Sequence, residues 1–90
     1  AAIRFGLIGA GGIAEYTARE LVGHPDAAIV AVADPSEPRA RALADRFGVP
    51  AVLAHHDTLL AREDVDAVYI AVPNSLHAPL ARAALEHGKH

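Results

Sequence analysis

Residues 3–14 read Ile3-Arg4-Phe5-Gly6-Leu7-Ile8-Gly9-Ala10-Gly11-Gly12-Ile13-Ala14. An apolar run ends abruptly in glycines, and a helical pattern begins at once. That succession predicts the strand, tight turn and helix start of a dinucleotide-binding βαβ unit. The turn has the form Gly9-x-Gly11-x-x-Ala14. A glycine at position 9 lets the backbone leave the strand sharply, where a Cβ would clash. Position 11 has no side chain, so a pyrophosphate can approach the backbone. Ala14 is small enough for the helix to lie close on the strand. The helix start then offers free N–H groups and a partial positive charge to phosphate oxygens.

A G-x-G-x-x-[GA] turn alone is also an ordinary glycine-rich turn, so its surroundings decide between the readings. Here it follows a strand-like run and opens a helix. A second apolar run, Ala27 to Ala33, ends in Asp34, which stands 20 residues after Ala14. A carboxylate about 20 residues beyond the turn is the expected partner of the adenosine ribose hydroxyls. It also repels a 2′-phosphate, so Asp34 predicts NAD in preference to NADP. Arg39 and Arg41 stand close enough in sequence to soften that choice, and NADP stays possible.

The 90 residues suffice for one small domain, and a complete doubly wound domain is normally longer. With 52% hydrophobic residues the composition is globular. The net charge is −3 and the eight Lys and Arg are scattered, so no basic surface for nucleic acid or membrane is expected. There is no Cys, which excludes disulfides and thiolate chemistry. No apolar run approaches the roughly 18 residues of a membrane span, and the N-terminus lacks a signal-peptide pattern. These features predict a cytoplasmic domain. The chain begins at Ala1 and contains no Met, which suggests a removed initiator or a fragment.

Along the chain, Ile3–Ile8 reads as a strand buried on both faces. A helix is expected over Gly12 to Val22, with Ala14, Ala18, Leu21 and Val22 on one apolar face. Gly23 and Pro25 end it. Ala28 to Ala33 is the second strand. Ser36 is the expected N-cap of a second helix, which buries Ala40, Leu43, Ala44 and Phe47 and stops at Gly48. Ala51–Leu53 is a short third strand, and Asp57 is expected to cap a short helix over 58–61. Asp66 to Val72 is the fourth strand. A last helix, capped by Asn74 or Ser75, runs through Leu76, Leu80, Ala84 and His87 to Gly88. Alternating strands and right-handed crossovers predict an α/β fold. It is a Rossmann-type parallel sheet of order 3-2-1-4 with helices on both faces, an incomplete doubly wound domain.

Four segments together resemble the N-terminal cofactor domain of the Gfo/Idh/MocA oxidoreductases, the glucose–fructose oxidoreductase and inositol dehydrogenase family. They are Gly6 to Ala14, Ala31 to Asp34, Arg46 to Pro50, and Asp66 to His77. The tail Ala83 to His90 also fits, so nearly the whole chain is covered, and the segment from Asp66 is the most specific. The resemblance implies that Gly9, Gly11, Gly12 and Ile13 line the pyrophosphate and that Asp34 holds the adenosine ribose. It further implies that Val72, Pro73 and Asn74 border the nicotinamide half, with Leu76 and His77 near that side. In the family a fifth strand follows with a Glu-Lys-Pro motif, whose Lys is the catalytic proton donor or acceptor. The chain ends before that motif, and Lys89 matches the turn ahead of it. By resemblance, therefore, residues 1–90 are the N-terminal part of the dinucleotide-binding domain. The catalytic lysine, the C-terminal substrate domain and the surfaces for homo-oligomer formation lie outside it.

Each site residue also has a structural reading. Asp34 could merely cap the second helix, although its place at a strand end favours the ribose. Asn74 is equally a helix cap, and His77 could simply occupy the first turn of the last helix. His55 and His56 lack further metal-type ligands, so a solvated loop is expected and no metal site. Tyr16 lacks a partner for general-acid work. Two functions compete. One is the NAD-binding portion of an oxidoreductase that moves a hydride to or from a sugar, polyol or related carbinol. In that case the 90-residue chain is inactive by itself. The alternative is a non-catalytic nucleotide-binding regulator or scaffold, because fold alone does not separate the two.

Overall fold

A strand that is apolar on both sides must be covered above and below, and that requirement organises the chain. The computed structural model describes residues 3–71 and 74–89, with side chains at 74–78 excepted. The elements are β1 (Ile3–Ile8), α1 (Gly12–Val22), β2 (Ala27–Ala33), α2 (Glu37–Phe47), β3 (Ala51–Leu53), α3 (His56–Leu60), β4 (Ala67–Ile70) and α4 (Asn74–Glu86). The four strands form one parallel sheet in the order β3-β2-β1-β4. This is the Rossmann order read from the sequence.

Two hydrophobic clusters sandwich the sheet. On one face Leu7 and Val32 pack under Ala14 and Ala18 of α1 and under Ala40, Leu43 and Ala44 of α2. On the other, Ile8, Ala31 and Ala33 lie under Leu59 and Leu60 of α3 and Leu80 and Ala84 of α4. The alanines let the helices sit close to the strands. A register shift adds one residue to β2: Phe5 pairs with Ile29, and Gly6 pairs with Ala31. Val30 is the extra residue, and it packs with Ala31 against the second cluster. Gly6 faces that same cluster. A Cβ there would come within 2.7 Å of Leu59 Cδ2 and 3.2 Å of Val65 Cγ1. The glycine in the middle of β1 therefore makes room for α3.

Several expectations need correction. Val22 is 53% exposed, and Thr17 is buried in its place beside Ala14 and Ala18. At about 100° per residue, Val22 is rotated some 80° away from Ala14, beyond the buried stripe. Ser36 does occupy the N-cap of α2, but its side chain makes no capping bond. The short third helix begins at His56 with His55 at its N-cap, so Asp57 lies within the first turn and does not cap it. The fourth strand is shorter than expected. Asp66 precedes it, engaged with Arg4, while the Ala71 N–H still donates to the Ile8 carbonyl. Pro79 lies inside α4, where it removes one backbone donor.

The amino edge of the sheet is closed by charge. The Arg4 guanidinium forks onto Asp66, with Nε 3.0 Å from Oδ2 and Nη2 2.9 Å from Oδ1. The Arg4 backbone N–H donates to Oδ2 at 2.9 Å, and the Asp66 N–H returns a bond to the Arg4 carbonyl at 2.8 Å. These bonds set β4 in register beside β1. Lys89, only 9% exposed, donates from Nζ to the carbonyls of Arg62 and Val65 at 2.5 and 2.6 Å. It ties the end of α4 to the loop before β4.

Arg4 holds the Asp66 carboxyl down at about 2, chiefly through the side-chain hydrogen bond. A depressed folded-state value stabilises the protein above the ordinary carboxylate range, and that contribution is lost as pH falls toward 2. Denaturant unfolding followed from pH 6 down to 2 should therefore reveal an acid-sensitive contribution below about pH 4. Asp66→Asn should flatten the curve in that window and leave its shape unchanged above pH 5.

Candidate site at the carboxyl edge of the sheet

In an open parallel sheet the loops after the strands gather at the carboxyl edge, where ligands bind. Here they are the glycine turn after β1, the Asp34 turn after β2, the Ala54–His55 loop after β3 and the start of α4 after β4. Gly9 has φ +102°, a conformation that side chains other than glycine rarely adopt. Its N–H donates to the Ala33 carbonyl at 2.8 Å, which carries the turn alongside the end of β2.

Asp34 is buried, at 7% exposure, and its carboxylate joins the two turns. Oδ2 accepts from the Ala10 N–H at 2.8 Å, and Oδ1 accepts from the Ser36 N–H at 2.8 Å. Its bond is to the N-cap residue of α2 and, across the site, to the glycine turn. Each oxygen retains acceptor capacity beyond these bonds.

Gly11 and Gly12 are glycines for a different reason from Gly9. Gly11, the N-cap of α1, has φ −83° and ψ −162°, which any residue can adopt. A Cβ on it would run into the guanidinium of Arg39, and a Cβ on Gly12 would meet nothing within 4 Å. Helix α1 thus begins beside the Arg39 guanidinium at Gly11 and against open space at Gly12. Its first backbone bond is Glu15 N–H to the Gly11 carbonyl, so the N–H groups ahead of Glu15 lack acceptors inside the helix. Ile13 stands beside them, 65% exposed.

A cavity of about 400 Å³ opens next to this turn. Gly9, Asp34, His55, His56, Pro79 and Leu80 are among the residues that line it. Asp34 also borders a second cavity of about 250 Å³, shared with Glu37 and Arg41. His55 is exposed in the loop after β3, as expected, whereas His56 begins α3, and both line the cavity beside Asp34. The signal that locates them is topological: they follow β3, and the loop after every parallel strand reaches this edge. His56 Nε2 lies 3.3 Å from Asp57 Oδ1. Arg39 was missed as a neighbour of the glycine turn; its place in the first turn of α2 puts it at the same edge. No group of three His, Asp or Glu that could hold a metal occurs among the described residues.

Gly9, Gly11, Gly12, Ile13 and Asp34 are thus brought together at one edge. Asn74, Leu76 and His77 lie in the first turns of α4, which starts at that edge, but their side chains lie outside the described residues. Val72 and Pro73 lie outside them altogether.

Because the Gly11 backbone is unstrained and only the end of Arg39 opposes a new side chain, Gly11→Val should fold. Its stability should change by no more than about 1 kcal/mol. Dinucleotide affinity, measured by calorimetry, should fall by about 100-fold or more, since the valine fills the approach to the backbone. Unchanged affinity would contradict a phosphate site at this turn.

A model of the oxidoreductase family with an NAD-binding Rossmann fold matches residues 3–90. The chain is 43% identical over 89 residues to a dTDP-3,4-didehydro-2,6-dideoxy-alpha-D-glucose 3-reductase of Streptomyces antibioticus, covering 98% of this chain and 27% of that protein. It superposes with a TM-score of 0.93 and 38% identity on a 3-ketoreductase from Actinomadura kijaniata in complex with NADP and TDP-benzene, covering 100% of this chain and 28% of that one. It superposes with a TM-score of 0.92 and 25% identity on scyllo-inositol dehydrogenase from Lactobacillus casei with bound NAD(H) and scyllo-inositol, covering 100% and 27%. The chain spans about a quarter of the length of these relatives. With its glycine turn, its Asp34 and its sheet order all in place, the chain belongs to the Gfo/Idh/MocA oxidoreductase family, as an NAD-binding Rossmann fold.

Proposed function

We propose that the chain is the dinucleotide half of an oxidoreductase that moves a hydride between NAD(H) and a CH–OH carbon of a sugar, polyol or related carbinol. The observation that carries this reading is the start of α1, where the Gly11 backbone suits any residue and a Cβ on Gly12 would meet nothing within 4 Å, so that the backbone geometry does not demand glycine at either position. The relatives' sugar and inositol substrates support the substrate class. The dinucleotide, when bound, supplies or accepts the hydride.

The residues divide the work of holding it. Gly9 turns the chain away from β1, and Gly11, Gly12 and Ile13 present the start of α1 to the pyrophosphate. Asp34, with acceptor capacity left on both oxygens, takes the adenosine ribose hydroxyls. Val72, Pro73, Asn74 and His77 border the nicotinamide side. The proton acceptor for the carbinol and the wall that orients the substrate belong to the rest of the protein. A positioned general base contributes roughly 10²–10⁴-fold, and without a second wall to position substrate that is far short of enzymatic turnover.

The full-length protein should bind NAD(H) more tightly than NADP(H) by calorimetry, because Asp34 repels a 2′-phosphate. Equal or tighter NADP(H) binding would remove the discriminating role of Asp34. Incubated with NAD and a panel of sugars, polyols and inositols, the full-length protein should produce NADH absorbance, and the 90-residue chain should not. Turnover by the short chain that disappears in His77→Ala would place a complete catalytic site within these residues.

A further inference from the structure

Two cations meet at the entry to β4. Arg4 of β1 grips Asp66 with its guanidinium, and the Asp66 N–H returns a bond to the Arg4 carbonyl. Lys89 reaches the same entry from the end of α4, where its Nζ donates to the carbonyls of Arg62 and Val65. The Asp66 carboxyl is lowered first by its hydrogen bonds to Arg4 and, more weakly, by the charge of Lys89. The backbone of Lys89 is fixed as well. The Gly88 N–H donates to the Leu85 carbonyl at 3.0 Å and the Lys89 N–H to the Ala84 carbonyl at 2.9 Å, the paired bonds of a Schellman stop. That stop needs only backbone groups, so ending α4 does not account for a lysine. A buried ammonium is costly unless it is hydrogen-bonded, and here the bonds go to the loop that opens β4. One residue thus fastens the end of α4 to the start of β4.

Handedness gives the direction in which a chain leaves this point. β1 leads to β2 over α1, on the Leu7 face of the sheet, whereas α4 covers the opposite face. A right-handed crossover on the opposite face runs the opposite way. It leads away from β1, to the edge of β4 that has no partner among the described residues. In a protein of the relatives' size, a strand that follows Lys89 starts beside β4 and runs parallel to it, toward the carboxyl edge. Its register is set where it starts. A slip of one residue moves its side chains by roughly 3.3 Å and turns each to the other face. Resting on the dinucleotide reading above, we infer that Lys89 is a positioning residue: it fixes the register of the following strand against β4 and so aims that strand's carboxyl end, with the proton acceptor for the carbinol, at the dinucleotide site. Lys89 itself stays at the amino edge, away from cofactor and substrate.

The test uses the full-length protein with Lys89→Met, which keeps the length of the side chain and removes its donors. Hydrogen exchange read by mass spectrometry should become faster in the peptides after residue 90 and in β4, and stay unchanged in β3. On the substrate of the panel that is turned over best, kcat should fall by about tenfold to 100-fold, the scale of a misplaced catalytic group. NAD(H) affinity by calorimetry should stay within about threefold. Unchanged exchange after residue 90, or unchanged kcat, would overturn the assignment. An equal loss of kcat and of NAD(H) affinity would mark a general loosening of the fold, and would overturn it as well. Lys89→Gln keeps an N–H donor on a shorter stem and should show the same split at smaller size. It carries the test if circular dichroism shows that Lys89→Met does not fold. An unsubstituted protein that turns over none of the panel would sink the oxidoreductase reading, and with it the acceptor, while exchange after residue 90 still decides the register.

Discussion

The carboxylate of Asp34 holds two turns with one group. Its oxygens accept from Ala10 and Ser36 at 2.8 Å each, so the glycine turn after β1 and the start of α2 are placed relative to one another. A buried carboxylate is costly unless its oxygens are satisfied, and the two N–H donors meet that requirement before any ligand arrives. The same bonds fix where the remaining lone pairs can point. The structural and ligand-directed readings of Asp34 are therefore compatible, because an anchored carboxylate is an oriented acceptor.

This arrangement depends on the sheet beneath it. β1 and β2 deliver Gly9 and Asp34 to adjacent points because Ile8 pairs with Ala33 at the end of their ladder. The bulge at Val30 lies upstream of that register and leaves the last three pairs, Gly6–Ala31 to Ile8–Ala33, regular. Gly6 lets Leu59 settle onto β1 without displacing the strand. Packing faults deeper in the sheet are therefore transmitted to the site as changes in register, and not merely as lost stability.

The sequence pattern revealed the frame because it depends on local rules. An apolar run, buried on both faces in its second half from Gly6 to Ile8 but exposed at Ile3 and Arg4, a glycine with positive φ and a glycine stop at Gly48 each leave a mark in a few residues. Strand order followed from right-handed crossovers together with the dinucleotide-binding pattern of the glycine turn. Features made by distant residues were not legible. Gly6 reads as a weak point in a strand until Leu59 is seen over it. Val22 looks apolar in a helical pattern, yet about half of it is left exposed. His55 and His56 form no motif, and only the topology brings them into the same cavity as Asp34. Arg39 was noted for its nearness in sequence to Asp34, but its placement over Gly11 depends on how α2 crosses the end of α1.

The two edges of the sheet solve different problems with similar residue types. At the amino edge Arg4, Asp66 and Lys89 are paired closely, with cations set against carboxylate or carbonyl oxygens, and the groups satisfy one another. At the carboxyl edge the balance is left incomplete. Gly12 stands at the first position of α1 with nothing within 4 Å of where a Cβ would lie, the first N–H groups of that helix lack acceptors inside it, and a guanidinium lies over its positive end. None of these choices favours the empty fold. Together they make a place where a bound anion satisfies several groups at once. Part of the dinucleotide's affinity then comes from relieving a mismatch already present in the protein, and the tightly closed amino edge lets the fold hold that mismatch without opening.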